Sequence, residues 1–120
     1  MSEKLATIAM TPRPELGYDP IRAILAGEKT HTLRKRRVRL AKRFREVTLG
    51  RKRTGIILEF RGSEEMTREQ FLTDEFAQAD GLRDAAALQE LLEAFYDAVP
   101  ETMWCNHFRV VESDGDSGIL

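Results

Sequence analysis

Hydrophobic positions along the chain fall into short runs that follow either the strand period or the helix period. Residues 5–10, 54–62 and 103–111 are rich in Ile, Leu, Val and Phe over short spans, which is typical of strands. Residues 46–49 form a shorter run of the same kind. Residues 29–34 alternate as a strand does, with Lys29, His31 and Leu33 on one face and Thr30, Thr32 and Arg34 on the other, unless a bend after Gly27 changes the side of Lys29. The pattern therefore predicts five strands.

The first predicted helix is marked by residues that begin and end helices. Residues 19–27 place Asp19 at the N-cap and Pro20 at the first helical position. Apolar residues follow at spacings of three and four, and Gly27 stands where the helix must stop. We expect a short helix with one buried face.

Two further helices are predicted in the second half of the chain. Residues 66–81 read as a single helix, with Thr67 as N-cap and Gln70 completing a capping box. Residues 84–100 read as a longer helix that begins at Asp84. The face of this helix that we expect to be buried carries Leu88, Leu91, Leu92, Phe95, Tyr96 and Val99.

The order of predicted elements favours an α+β fold. It runs strand, helix, strand, loop, two strands, two helices and strand, with no internal repeat. Because strands and helices do not alternate strictly, a doubly wound parallel sheet is not expected, and a small sheet or barrel is. We expect one domain over residues 1–111, followed by a flexible acidic tail at residues 112–120.

Composition restricts the classes of protein and of site. The 120 residues are 42% hydrophobic and 32% charged, which suits one domain with a single core. A single cysteine, Cys105, cannot form an internal disulfide or a cysteine-cluster metal site. The apolar run near the N-terminus, about six residues long, is too short for a secretory signal or a membrane span. We therefore expect a soluble cytoplasmic protein that needs no cofactor and has no membrane partner.

Charge is distributed unevenly, although the net charge is only -1. Residues 1–61 hold 16 basic and 6 acidic side chains, whereas residues 62–120 hold 3 and 14. A dense basic cluster attracts polyanions such as nucleic acid, but it can also pair with the acidic half of the same chain. The cluster consists of Arg34, Lys35, Arg36, Arg37, Arg39, Lys42, Arg43, Arg45, Arg51, Lys52 and Arg53.

One motif, Lys-Thr-x-Thr-x-Arg, stands between the first helix and the basic cluster. With the preceding helix end it reads ILAGEKTHTLR, and it resembles the signature of the ASCH domain, a small β-barrel family related in fold to PUA RNA-binding domains. Residues 71–96 resemble the helical insertion of that family, and residues 101–111 its closing strand. Residues 34–55 depart from the family, which usually has a Gly-Asp turn there. The strand layout of this region is left open.

The resemblance implies a PUA-like α+β barrel with a short N-terminal helix and a two-helix insertion before the last strand. It also implies a cleft that takes RNA or a nucleoside. In one bacterial branch, similar proteins are amidohydrolases that remove the acetyl group from N4-acetylcytidine, and their proposed catalytic groups correspond to Lys29, Thr32 and Asp80. That branch has a glutamate at the third position, so activity does not follow from the motif alone.

The residues themselves leave several roles open. Lys29 can act as a base only if its pKa is lowered; otherwise it is a cation that holds a phosphate or polarises a carbonyl. Thr32 can be a nucleophile or simply a β-branched strand residue, and Asp80 can orient Lys29 or be a solvated helix end. His31 is a spacer in the motif. Because His107 is the only other histidine, the sequence supports neither a zinc site nor a catalytic triad.

We therefore expect a domain that binds RNA or a modified nucleoside in a cleft around the motif. The residues expected to bind the substrate are Thr30, Arg34, Arg36 and Arg37, beside Lys29, Thr32 and Asp80 as catalytic candidates. Hydrolysis of N4-acetylcytidine and, less strongly, cleavage of single-stranded RNA are the alternatives. No metal is expected at this site, and the sequence does not indicate an oligomeric state.

Overall fold

The computed structural model describes residues 5–113, which form an α+β domain. The strands are β1 (Ala6–Ala9), β2 (His31–Arg34), β3 (Phe44–Leu49), β4 (Lys52–Thr67) and β5 (Thr102–Glu112). The helices are α1 (Pro20–Leu25), α2 (Arg68–Phe71), α3 (Asp74–Ala79) and α4 (Ala85–Tyr96), with 3-10 turns at Pro14–Leu16 and Leu40–Lys42.

All five strands belong to one mixed sheet, in the order β1-β3-β4-β5-β2. Strand β1 runs parallel to β3, and the other neighbouring pairs are antiparallel. Strand β4 is longer than the predicted residues 54–62, because it pairs with β3 through its first half and with β5 through most of its length. Irregular register at Ile57/Leu58 and Phe60/Gly62 marks where its pairing with β5 shifts.

The basic middle of the chain, which the sequence left open, consists of a loop and a β-hairpin. Strand β3 begins at Phe44, two residues before the predicted residues 46–49, and Gly50 makes the turn into β4 with a φ of 61°. Such a positive φ favours glycine. The charged side chains of this region are mostly exposed, while Val38 and Val47 turn inward.

Apolar side chains form two buried clusters. One lies beneath α2, α3 and α4 and includes Phe71, Leu88 and Met103. The other lies against α1 and includes Ile56 and Phe60. No helix within residues 5–113 has the length and apolar content needed to span a bilayer. The predicted tail at residues 112–120 falls largely outside the described residues, and Glu112 is the last residue of β5.

Local helix signals were confirmed at three N-caps. The Asp19 carboxylate accepts a hydrogen bond from the Arg22 N–H (3.3 Å), and the Asp84 carboxylate accepts one from the Ala87 N–H (2.9 Å). The predicted capping box at Thr67 is present. These caps need only residues three apart in sequence, so a local pattern is sufficient to predict them.

The prediction of a single helix over residues 66–81 was wrong, because the chain forms α2 and α3 instead. Leu72 has a non-helical backbone (φ -86°, ψ 66°), and the Thr73 hydroxyl accepts a hydrogen bond from the Phe76 N–H at 3.1 Å. Thr73 thus acts as a second N-cap and begins a new helix. The new helix, α3, ends at its C-cap residue Asp80, which lies at the candidate site.

Candidate functional site

A cleft of about 230 Å³ opens where β1 and β2 end, beside the C-terminal residues of α3 and α4. It is smaller than the roughly 300–1,000 Å³ of pockets that bury drug-sized ligands, so it suits a group of the size of one base. The cleft is lined by Ala9, Met10, Thr11, Tyr18, Lys29, Thr32, Leu33, Arg34, Asp80, Leu92, Phe95 and Tyr96. All three catalytic candidates from the sequence therefore line one cavity, together with Arg34.

Lys29 and Asp80 form an ion pair in the buried wall of the cleft. The Lys29 ammonium donates a short hydrogen bond to Asp80 Oδ1 and lies 3.4 Å from the Asp80 main-chain oxygen. Only 1% of the Lys29 side chain and 4% of the Asp80 side chain are exposed. Asp80 is therefore not a solvated helix end, and the shorter aspartate does reach the lysine.

The ends of two helices bring this pair together. The backbone N–H of Lys29 donates to the Ala23 carbonyl (3.1 Å), which completes the turn that ends α1, and Asp80 is the C-cap of α3. Gly81 follows with a φ of 87°, and a Cβ at this position would lie 2.9 Å from the Ala23 Cβ. A glycine is thus required for the two helix ends to approach this closely.

The surroundings of Lys29 keep it protonated. Burial disfavours its ammonium, but the Asp80 carboxylate, together with the neighbouring Tyr18 side chain, favours it more, so the pKa of Lys29 lies above its ordinary value. Burial raises the pKa of Asp80, although Lys29 opposes that change, and burial also raises the pKa of Tyr18. Of the two roles that the sequence left open, this environment favours that of a cation and hydrogen-bond donor.

Arg34 connects the two outer strands of the sheet across the cleft. Its Nε donates to Thr32 Oγ1 (3.1 Å), and its Nη2 donates to the Ala9 carbonyl of β1 (2.7 Å). In the described part of the chain β1 and β2 are not paired through their backbones, so this side chain supplies a contact between them. The same contact holds the Thr32 hydroxyl as an acceptor.

The predicted alternation of residues 29–34 was wrong at its first two positions. Lys29 lies in the cleft beside Thr32 and Arg34, whereas Thr30 is exposed and lies outside it. The reason is that β2 begins only at His31, while Lys29 still belongs to the turn that ends α1. Of the residues expected to bind substrate, Arg34 is in the cleft and Thr30 is not.

Beyond the cleft, the exposed cations Lys35, Arg36, Arg37 and Arg39 form a segment, residues 35–39, that we call the basic loop. Lys35 Nζ lies 5.1 Å from the centre of the Tyr96 ring, so the loop begins at the cleft wall. Among residues 5–113, none of these four side chains forms an ion pair. The ion pairs of the remaining cluster, Arg53 with Glu46 and Arg43 with Glu59, do not use the acidic half of the chain.

Asn106, which sequence analysis did not single out, fixes the position of the basic loop. This fully buried side chain on β5 accepts hydrogen bonds from the Val38 N–H (2.8 Å) and the Ser63 hydroxyl (2.5 Å). Its amide nitrogen lies 3.3 Å from the Arg36 carbonyl. A buried asparagine within a strand is an unusual choice that signals a specific partner, but the sequence does not identify that partner.

Replacing Asn106 with alanine is expected to lower the free energy of unfolding by about 1–3 kcal/mol, because the Val38 N–H loses its buried acceptor. Urea unfolding followed by circular dichroism measures this change. Ser63→Ala is the matched control, since it removes one hydrogen bond of Asn106 and leaves the bond to Val38 intact. Equal losses in the two variants would contradict this role of Asn106.

Aromatic side chains at the cleft mouth were also only partly predicted. Phe95, expected on the buried face of its helix, is 41% exposed and lies with Tyr96 in the cleft wall. Helical spacing predicts that both side chains face the core. It does not show that the last turn of this helix lies at the open end of the sheet, where the cleft is. Tyr18, which lines the cleft with its ring 5.6 Å from Lys29 Nζ, gave no signal in the sequence.

Comparison with known proteins identifies the fold. Neither the protein-family models nor the curated proteins give a match to the sequence. Similar solved structures include an ASCH domain from Lactobacillus crispatus JV V101, with 20% identity and a TM-score of 0.63, and a DUF984 protein from Enterococcus faecalis V583, with 20% identity and a TM-score of 0.64. The first comparison covers 78% of this chain and 70% of the other, and the second covers 94% and 84%. The protein therefore has the fold of an ASCH domain, as the Lys-Thr-x-Thr-x-Arg motif led us to expect.

Proposed function

We propose that this domain binds single-stranded RNA, with one base in the cleft and neighbouring phosphates on the basic loop. The proposal depends chiefly on one observation, that the cleft and the basic loop are continuous. The cleft offers fixed polar groups for a base, and Lys35 connects its wall to a row of cations without ion-pair partners among residues 5–113. The ASCH-type fold is consistent with an RNA-related role.

The cleft has the groups needed to hold a base by its edge. Asp80 is an acceptor for an exocyclic amine, and Lys29 and Arg34 are donors for a ring carbonyl. Phe95 and Tyr96 supply aromatic surface at the mouth, on which a base can stack at a gain of about 1–3 kcal/mol. Duplex RNA keeps its bases stacked and paired, so a cleft of this kind requires an unpaired base.

The basic loop favours RNA over a free nucleoside as the ligand. A nucleoside has no phosphate, and the loop would then have no partner in the complex. Each phosphate contact to a single strand contributes about -0.7 to the slope of log K against log salt. Binding of RNA should thus weaken steeply with salt, whereas binding of a nucleoside should not.

This proposal is tested by fluorescence anisotropy with a labelled single-stranded RNA, the same RNA as a duplex, and the free nucleosides as competitors, at several salt concentrations. The expected result is saturable binding of the single strand that weakens with salt and is tighter than binding of the duplex. Equal affinity for both RNAs would contradict insertion of a base. Electrophoresis of the same RNA after incubation would reveal cleavage, and hence the ribonuclease alternative.

Hydrolysis of N4-acetylcytidine is a second candidate, favoured by the presence of Lys29, Thr32 and Asp80 in one cleft. In such a reaction the Lys29 ammonium would stabilise the oxyanion rather than take a proton from Thr32. The Thr32 hydroxyl would need another base, because Lys29 is already protonated. The hydrogen bond that Arg34 donates to Thr32 Oγ1 leaves the hydroxyl proton free for such a base.

Chromatography of N4-acetylcytidine incubated with the protein tests this candidate, beside Thr32→Val, which keeps the shape of the side chain and removes the hydroxyl. Release of cytidine by the parent protein alone would support the amidohydrolase. Absence of release, at protein concentrations that approach that of the substrate, would remove it.

A further inference from the structure

Three adjacent strands bring a group of metal-binding side chains together outside the cleft. Strand β5 carries Cys105 and His107, two residues apart and hence on the same face of the sheet. In the sheet register, His31 of β2 lies opposite His107, and Glu64 of β4 lies opposite Cys105. Sequence analysis found no support for a zinc site, because His31 has only one other histidine, His107, as a companion. These residues are up to 76 positions apart and meet only because β2 and β4 both pair with β5.

The donor atoms of this group converge. One ring nitrogen each of His31 and His107 and the Cys105 Sγ all lie within 4.8 Å of one another. Cys105 Sγ is 3.6 Å from His107 Nε2, and that nitrogen is 3.0 Å from Glu64 Oε1. Side-chain rotations are needed to bring these three donors, with Glu64 as a fourth, to the distances of about 2.0–2.3 Å that a tetrahedral zinc ion requires.

His31 is the member of the group that most clearly lacks a partner. The residue is 4% exposed, and its Nε2 has no hydrogen-bond partner within the described residues. A buried nitrogen of this kind is costly unless a ligand or ion satisfies the ring. Asp80 Oδ1 lies 3.8 Å from this nitrogen, which is too far for a hydrogen bond, so the carboxylate does not satisfy it.

We propose that His31, Cys105 and His107, with Glu64 as the fourth ligand, form a binding site for a divalent metal ion of the zinc type. The mixture of thiolate and imidazole donors selects Zn²⁺ or Co²⁺ over Mg²⁺ and Ca²⁺, which prefer oxygen. As the sulfur–metal bond forms, the Cys105 thiol releases its proton to solvent. The bond between His107 and Glu64 gives way to bonds from both residues to the metal.

The ligands differ in exposure, so the site has a closed inner side and an open outer side through which a metal ion can enter. Cys105 is fully buried, and Phe76 covers the His31 ring with a centroid distance of 4.3 Å. The side chains of His107 and Glu64 are 48% and 62% exposed. A metal ion would therefore enter from the side of His107 and reach the cysteine last.

The test is a titration of the untagged protein with Co²⁺, followed by its visible and ultraviolet spectrum. A cobalt–thiolate bond produces a charge-transfer band that no binding to surface carboxylates can produce. The expected result is saturation at one ion per chain, with loss of the band on addition of Zn²⁺. His107→Gln, at a half-exposed position that the fold does not need, is expected to weaken binding at least tenfold.

Two further variants make the result decisive. Glu65→Gln removes a carboxylate from the face of β4 opposite to that of Glu64 and should leave binding unaltered. Cys105→Ser should abolish the charge-transfer band, and if burial of the hydroxyl prevents folding, His107→Gln alone decides the matter. Absence of the band at stoichiometric Co²⁺, or equal affinity in His107→Gln and the parent protein, would overturn the proposal.

Discussion

Replacing Lys29 with methionine is expected to lower the free energy of unfolding by about 3–5 kcal/mol, measured by urea denaturation. The methionine keeps the apolar stem of the side chain but leaves the carboxylate of Asp80 buried without a partner. Removing one member of a buried ion pair typically has a cost of this size, because desolvation of the other member is no longer offset. Such a loss is a large part of the roughly 5–15 kcal/mol that stabilises a domain.

The size of this effect depends on burial, and two variants test that dependence. Lys42→Met changes an exposed lysine in the same way and should alter stability by no more than about 0.5 kcal/mol. Combining Lys29→Met with Asp80→Asn should recover much of the loss, because no charge is then left unpaired in the interior. If Lys29→Met were no more destabilising than Lys42→Met, the ion pair would not be a structural element of the cleft.

Replacing Arg36 and Arg37 together by glutamine is expected to weaken binding of single-stranded RNA about 20- to 30-fold at 0.1 M salt. Loss of two phosphate contacts makes the slope of log K against log salt shallower by about 1.4. The affinities of the parent protein and the variant therefore differ more as the salt concentration falls below 1 M, in proportion to about the 1.4 power of that decrease. Fluorescence anisotropy over a range of salt concentrations gives both quantities. The stability of the protein should not change, because both side chains are exposed.

The matched control removes two positive charges elsewhere on the surface. Arg22 and Arg83 are exposed and line neither the cleft nor the basic loop. Their double replacement by glutamine changes the net charge by the same amount, and it should leave the salt slope unaltered. A similar loss of affinity in both double variants would mean that RNA responds to net charge rather than to the basic loop.

The sequence predicted those parts of the fold that depend on neighbouring residues. Asp19 and Asp84 begin helices because their side chains bond to N–H groups three residues later, and this requirement is visible in the sequence. Break points inside a helix are harder to predict. Thr73 has the residue type of an N-cap, but the apolar spacing around it continues unbroken, so residues 66–81 read as one helix.

The candidate site was predicted from the family motif rather than from physical reasoning on the residues. Lys29 and Asp80 are 51 positions apart, and no local pattern shows that two helix ends bring them into contact. The roles of Tyr18 and Asn106 likewise arise only from tertiary contacts. His31 shows the limit most clearly: read as a spacer in the motif, it lies opposite His107 because β2 pairs with β5.

We expect one base of an RNA strand to enter the cleft while the basic loop holds its phosphates. A titration of ¹⁵N-labelled protein with short single-stranded RNA, followed by amide chemical shifts, tests this arrangement. The largest shifts are expected at Tyr18, Thr32, Arg34 and residues 35–39. Shifts confined to another surface, with the amides of the cleft unchanged, would contradict it.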